Sequence, residues 1–304
     1  RAGHRRRRLP GTAVEAEAVM WLTVLVSGIA LGSFYSLIAM GFALIFGVTH
    51  AFNLAHGELV VLAGYTAYWL WKGWGLSLVL TFPVAVAALL CLCLLLQRLF
   101  SLLREPLELN SIVMSFGLAI LLQNGMLFAF SGDYRLIRAP ALTEGTSVNG
   151  LSLTYGQLTL VALSLVAIGL LHLLMHRTYL GKALRATIQD REGAALAGIN
   201  VRGMGLVAFG IGAVCIGLAG PLYGSIHYLY PAAGLQATLI AVTITIFAGV
   251  GRIRGLIAGG WLLGLTESAA VILLGSSWRE LVSAVILIGL LVFRPRGILG
   301  REEG

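Results

Sequence analysis

Charged residues are scarce in this chain. They make up 11% of its 304 residues against 58% hydrophobic, and the mean hydropathy is +0.91. A soluble domain carries about 25% charged residues, so a water-covered surface is excluded and lipid is the solvent that fits. Period-two alternation of apolar and polar residues is missing too. That excludes a membrane β-barrel and leaves helices to satisfy the backbone inside a bilayer. Proline is rare (7) where glycine is abundant (39), a combination suited to helices that approach closely over small residues. The three cysteines, Cys91, Cys93 and Cys215, fall inside apolar runs without metal-ligand spacing and read as core filler.

Catalytic machinery is missing as well. The six histidines (His4, His50, His56, His172, His176 and His227) are dispersed without ligand spacing. The one Gly-Lys pair, Gly181-Lys182, is followed by Ala183, so the chain carries no Walker A phosphate loop. No catalytic residue, metal site or cofactor is expected, and the chain does not read as an enzyme.

What is present is a series of long apolar runs, at roughly 21–47, 58–71, 74–97, 110–130, 157–176, 204–230, 235–250, 256–275 and 279–293. About 20 such residues cross a hydrocarbon core about 30 Å thick. The expected fold is all-α, a polytopic membrane helix bundle with about eight or nine transmembrane segments. Small-residue pairs at Gly28/Gly32, Gly220/Gly224, Gly251/Gly255/Gly259 and Gly260/Gly264 favour a compact bundle over separate anchors. Segment 58–71 is short for a span and the first is long, and both flank the polar stretch from Asn53 to Glu58. A broken or partly re-entrant element is expected there. Non-helical backbone at membrane depth survives only inside protein or beside a water-filled cavity.

The net charge of +8 is spread over short loops between apolar runs, a mark of orientation rather than of nucleic-acid binding. Counting spans back from the C-terminus puts four basic stretches on one face: Arg98 with Arg104, the loop Arg177 to Arg202, Arg252 with Arg254, and the tail Arg294, Arg296 and Arg301. That face is the cytoplasm. The loop 131–156 and the start of the first span are then external, which conflicts with a native Arg5–Arg8 cluster. Residues 1–19 read as a basic anchor or, preferably, as a start-site artefact ahead of Met20, leaving a transmembrane domain at 20–304.

Ionisable groups inside a bilayer are costly and tend to be functional. Glu58 and Glu267 are the two acids in apolar surroundings, and Asn53 and His56 share the polar stretch of Glu58. These four are the candidate translocation-pathway residues. For Glu267 the alternative is a helix-packing hydrogen bond, to Thr266 or another helix. For Asn53–Glu58 it is an ordinary cytoplasmic loop. Gln123 and Asn124, mid-span, read as interhelical glue. On the cytoplasmic face Leu184, Ile188, Ala195 and Ile199 recur at helical spacing, punctuated by Gly181 and Gly198. A short amphipathic helix or helix pair is expected, with small residues suited to a partner's groove.

That stretch resembles the cytoplasmic coupling loop of ABC-importer permeases, whose pattern is Glu-Ala-Ala, three variable residues, then Gly. Here it reads Glu192-Gly193-Ala194 and then Gly198, with Gly193 where Ala is usual. The neighbouring Gly181-Lys182-Ala183-Leu184-Arg185-Ala186 and Gln189-Asp190-Arg191-Glu192 are similar to branched-chain amino acid permeases of the LivH/LivM type. Residues 28–58, ending in Asn53-Leu54-Ala55-His56-Gly57-Glu58, and residues 217–264 resemble the same family. Leu54 departs from its usual Phe, and Arg252 and Arg254 stand where Ser and Pro are common.

The resemblance implies a permease subunit forming the path for branched-chain or other small amino acids across a bacterial or archaeal inner membrane. It implies ABC ATPase subunits, a second permease subunit and an external substrate-binding protein as partners within the lipid bilayer. Loop 177–203 becomes the coupling loop, with Gly181, Arg185, Asp190, Glu192, Gly193, Ala194 and Gly198 toward the ATPase. The alternatives are a same-family importer of urea or short amides, or a self-sufficient secondary transporter or channel. The last leaves the coupling-loop pattern unexplained.

Overall fold

The computed structural model describes residues 13–139, 144–148, 151–249 and 251–293. The Arg5–Arg8 cluster, His4 and the tail arginines Arg294, Arg296 and Arg301 lie outside the described residues. In chain order the helices are α1 (Ala13–Thr49), α2 (His56–Gly73), α3 (Leu78–Phe100), α4 (Leu107–Phe130) and α5 (Tyr155–Arg177). Two short helices follow, α6 (Tyr179–Gln189) and α7 (Arg191–Leu196), then α8 (Val201–Ile226). A 3-10 turn at Pro231–Ala233 leads into α9 (Gly234–Ala248), and α10 (Ile253–Leu274) and α11 (Arg279–Phe293) complete the bundle. Between α4 and α5 a small antiparallel hairpin pairs β1 (Gly145–Val148) with β2 (Leu151–Thr154).

Every apolar run is helical, but the number long and apolar enough to cross a membrane is seven among the described residues, not eight or nine. The two that fall short have different reasons. α2 starts with Glu58 in its first turn and ends with Lys72, and its inner two-thirds is buried against protein. A helix sheathed by protein needs no uniformly apolar surface. α11 has 15 residues within the described range.

α1 is the axis of the bundle. Its apolar window is 89% buried where that of α4 is 11% buried, which separates a central helix from a peripheral one. On the peripheral α4, Asn124 is exposed, and its Nδ2 donates to Ile120 O of its own helix at 2.8 Å rather than to another described helix of this chain. Glycines set the contact of α1 with α10. A Cβ at Gly32 would lie 2.6 Å from Gly260 O, and one at Gly264 would lie 2.6 Å from Gly32 Cα. α2 and α8 meet in the same way, with a Cβ at Gly220 2.6 Å from Gly64 N. The small-residue pairs thus let backbones touch, and dispersion between them replaces the hydrophobic effect that lipid removes.

The basic loops gather at one end of the bundle. There Arg191 Nη1 donates to Thr49 O at 3.4 Å, and a cavity of about 1000 Å³ is lined by Thr49, Gln97, Glu105, Arg191 and Arg202 among others. This is the end that the arginine distribution is expected to place at the cytoplasm. At the opposite end Arg135 and Leu229 form an isolated antiparallel bridge that ties the external loop to the α8–α9 connection.

Gly32→Val and Gly264→Val should each lower the thermal unfolding midpoint of the detergent-purified protein, since overpacking of a tight contact costs roughly 1–3 kcal/mol or more. Gly125→Ala, whose methyl meets open space, should not lower it. Equal midpoints in all three variants would contradict the close approach of α1 and α10.

Candidate functional site

The main chain breaks at His50. Its φ of 54° is left-handed, a conformation that stops α1 while its N–H still bonds Phe46 O at 2.8 Å. Residues 51–55 then climb back along α1 without forming a helix. His56 Nε2 lies 3.1 Å from Ile38 O, a residue about 16 Å up α1 from Thr49 at 1.5 Å per residue. α2 therefore begins near the middle of a hydrocarbon core about 30 Å thick.

Hydroxyl groups satisfy the climbing backbone. Phe52 N donates to Ser111 Oγ at 2.9 Å and Leu54 N to Ser115 Oγ at 3.0 Å, while Ser115 Oγ donates to Phe52 O at 3.1 Å. Ala55 N donates to Asn53 Oδ1 at 3.0 Å, an Asx-type turn that leads into α2. Gly57 N donates to Thr238 Oγ1 at 2.8 Å, and that hydroxyl donates to Leu54 O at 3.0 Å.

Thr238 belongs to α9, which begins at the same depth. A Cβ at Gly57 would lie 2.6 Å from Thr238 N, and a Cβ at Gly234 would collide with the carboxylate of Glu58. From this crossing α2 runs outward, where Tyr65 stacks on Phe130 and Arg135 lies over Trp69. α9 runs inward to the turn at Gly251, where an added Cβ would lie 3.1 Å from Ile188 of α6. Two helix N-termini thus meet at mid-depth with Glu58 between them. Both carry partial positive charge, which favours an anionic group at that point.

Asn53, His56 and Glu58 are 2%, 0% and 3% exposed, so this stretch is enclosed by protein rather than solvated as a loop. Asn53 Nδ2, His56 Nδ1 and Glu58 Oε2 have no hydrogen-bond partner among the described residues. Glu267 is placed differently. It is fully buried, and its carboxylate accepts from Tyr35 Oη at 2.7 Å and from Ser283 Oγ, joining α10 to α1 and α11. Thr266 bonds back to Leu262 and Leu263 of its own helix instead.

The cytoplasmic stretch is a helix pair with a reset between its halves. Leu184 is buried and Ile188 packs on the core, as the helical spacing requires. Asp190 is extended, with φ −153° and ψ 109°, and its carboxylate caps α7 by accepting from Glu192 N and Gly193 N. That break shifts the helical phase, so Ala194 is the buried residue of α7 and Ala195 faces outward. A methyl at Gly193 would crowd the Asp190 carboxylate, a local reason for Gly where Ala is usual. Gly181 backs onto Leu174 and Met175 of α5, and Gly198 turns the chain with φ 82°. Arg185 and Glu192 are exposed. Sequence reasoning missed Leu196, 91% exposed at the end of α7, and Tyr179, 82% exposed at the start of α6. It also missed Ser111, Ser115 and Thr238. The four-residue spacing of the two serines on one face of an apolar span was the available signal.

A family model described as the permease component of branched-chain amino acid transport systems matches residues 24–291. The chain is 30% identical to the high-affinity branched-chain amino acid transport system permease protein BraD of Pseudomonas aeruginosa, over 94% of this chain and 98% of the relative. It is 29% identical to the corresponding protein LivH of Escherichia coli K12, over 93% and 96%. It is 27% identical to a probable branched-chain amino acid transport permease protein LivH of Methanocaldococcus jannaschii, over 91% and 92%. No solved structure gives a significant match.

Thr238→Val keeps the side-chain shape but strips Gly57 N and Leu54 O of their partner, a loss worth roughly 1–3 kcal/mol when the groups stay buried. Thermal unfolding in detergent should show a lowered midpoint for Thr238→Val and a near wild-type midpoint for Thr238→Ser. A Val variant as stable as the Ser variant would remove Thr238 from the support of the break.

Proposed function

The chain belongs to the permease components of branched-chain amino acid transport systems, and from that premise we propose that it forms the translocation path of an importer for branched-chain or other small amino acids, with the helix break on that path. Membership makes it a multi-pass membrane transport subunit rather than an enzyme, working with ATPase and substrate-binding partners. A second permease chain, identical or homologous, completes the pore in this reading.

One observation carries it: three enclosed polar side chains, Asn53, His56 and Glu58, each hold an atom without a partner among the described residues, at the meeting of two helix N-termini. Unpaired buried polar atoms cost about 1–3 kcal/mol each, a cost that a passing polar solute offsets. The site suits a zwitterion. Helix N-termini attract a carboxylate, a buried acid attracts an ammonium, and broken helices near mid-membrane are the usual setting for transported solutes. Glu267 belongs to the support of this path, through its bonds to Tyr35 and Ser283.

The drive enters through α6 and α7. Gly181, Asp190, Gly193, Ala194 and Gly198 shape the helix pair, while Arg185, Glu192 and the newly recognised Leu196 and Tyr179 face outward to dock in an ATPase groove. Arg191 passes displacement to the end of α1 through its bond to Thr49 O, and from there to the climbing stretch.

Reconstitution of the complete complex with its binding protein in liposomes tests the reading. ATP-dependent uptake of L-leucine, L-isoleucine or L-valine is expected, and Leu196→Asp should cut uptake and substrate-stimulated ATP hydrolysis by about tenfold or more, as loss of an interface anchor does. Uptake of urea or acetamide in place of amino acids would reassign the substrate. Uptake that needs no ATP would sink the importer reading altogether.

A further inference from the structure

A second polar constellation lies outward of the break, where α1, α8, α9 and α11 meet. Tyr35, Tyr223, His227, Gln236, Ile240 and Arg279 line a cavity of about 30 Å³ there. Ile38 links the two places, since its carbonyl holds His56 while the same residue lines this cavity. Arg279 is the first residue of α11, and its Nε is buried without a hydrogen-bond partner among the described residues. Among the described residues its guanidinium makes no ion pair. Glu267 is already held by Tyr35 and Ser283.

Arg279 itself is half-buried, and an Nε shut away from solvent with an open donor is unusual. Arginine presents a planar fork of N–H groups that fits a carboxylate with two parallel bonds, and the fit strengthens away from water. Gln236 adds an amide donor, and Ile240 and Phe34 supply an apolar wall beside it. We propose that this cavity is an outer carboxylate subsite, in which Arg279 takes the α-carboxylate of an incoming amino acid before the solute reaches the break. The inference rests on the functional reading above and deepens it. A volume of about 30 Å³ holds a carboxylate or one or two waters but not a whole branched-chain amino acid. Full entry therefore requires α11 to part from α9.

The test restores the charge chemically. Arg279→Cys is placed in a background with Cys91, Cys93 and Cys215 replaced, and the complete complex is reconstituted with its binding protein for uptake of L-leucine. Uptake should fall about tenfold or more, the loss expected for a charge-assisted hydrogen bond. Aminoethyl methanethiosulfonate, which rebuilds a cation at the position, should recover much of it, and neutral methyl methanethiosulfonate should not. Arg279→Lys and Arg279→Met, a charged and a neutral chain of similar length, give the same comparison if Arg279→Cys does not assemble. Equal recovery by both reagents, or equal uptake by the Lys and Met variants, overturns the subsite. A wild-type complex that carries no amino acid overturns the functional reading instead, so the two failures are distinct.

Discussion

A backbone N–H at the middle of a bilayer has no water to bond, and the architecture follows from how residues 51–57 meet that constraint. Three hydroxyls carry the load: Ser111 and Ser115 from α4 and Thr238 from α9. Each must come within 3.0 Å of a main-chain amide, which fixes where α4 and α9 stand relative to α1. Glycine does the rest. Gly57 and Gly234 let the starts of α2 and α9 cross, and Gly32, Gly260 and Gly264 close α10 against α1 behind them. A bundle packed more loosely would leave the break open to lipid, where it does not survive.

The same constraint ties the interior to the cytoplasmic face. α1 ends at Thr49, whose carbonyl accepts from Arg191 of α7, and the climb toward Asn53 begins at the next residue. The turn at the foot of α9 rests near Ile188 of α6. The helix pair α6–α7 is thereby in touch with both strands of chain that form the break, one through α1 and one through α9. In the proposed reading, a shift of this pair by a docked ATPase has a short mechanical route to Glu58. The large cytoplasmic cavity beside α7 leaves room for such a shift.

Much of this was legible in the sequence, and the limits are physical. The apolar runs marked every helix of the bundle, because lipid demands length and hydropathy that nothing else in the chain imitates. A long first run followed by Asn53, His56, Glu58 and a short run marked the break. The partners of that break were not legible. Thr238 lies 181 residues from Gly57, and a lone threonine in an apolar helix more often bonds its own preceding turn, as Thr245 does with Ala241 O. The phase of α7 was misjudged because helical spacing was carried through Asp190, where an extended residue resets it. Leu196 was passed over because one leucine in an apolar chain carries no signal until its exposure is seen.

Cysteine accessibility reads directly whether the break lies on the path. In a background with Cys91, Cys93 and Cys215 replaced, a single cysteine substitutes Asn53 or His56, and a small aqueous thiol reagent is applied to the assembled complex. Both positions are expected to react, with rates that change between the nucleotide-free and nucleotide-bound states of the ATPase. Labelling as fast as at an exposed control position such as Arg104 in the loop between α3 and α4, and unchanged in every nucleotide state, would remove the break from the path.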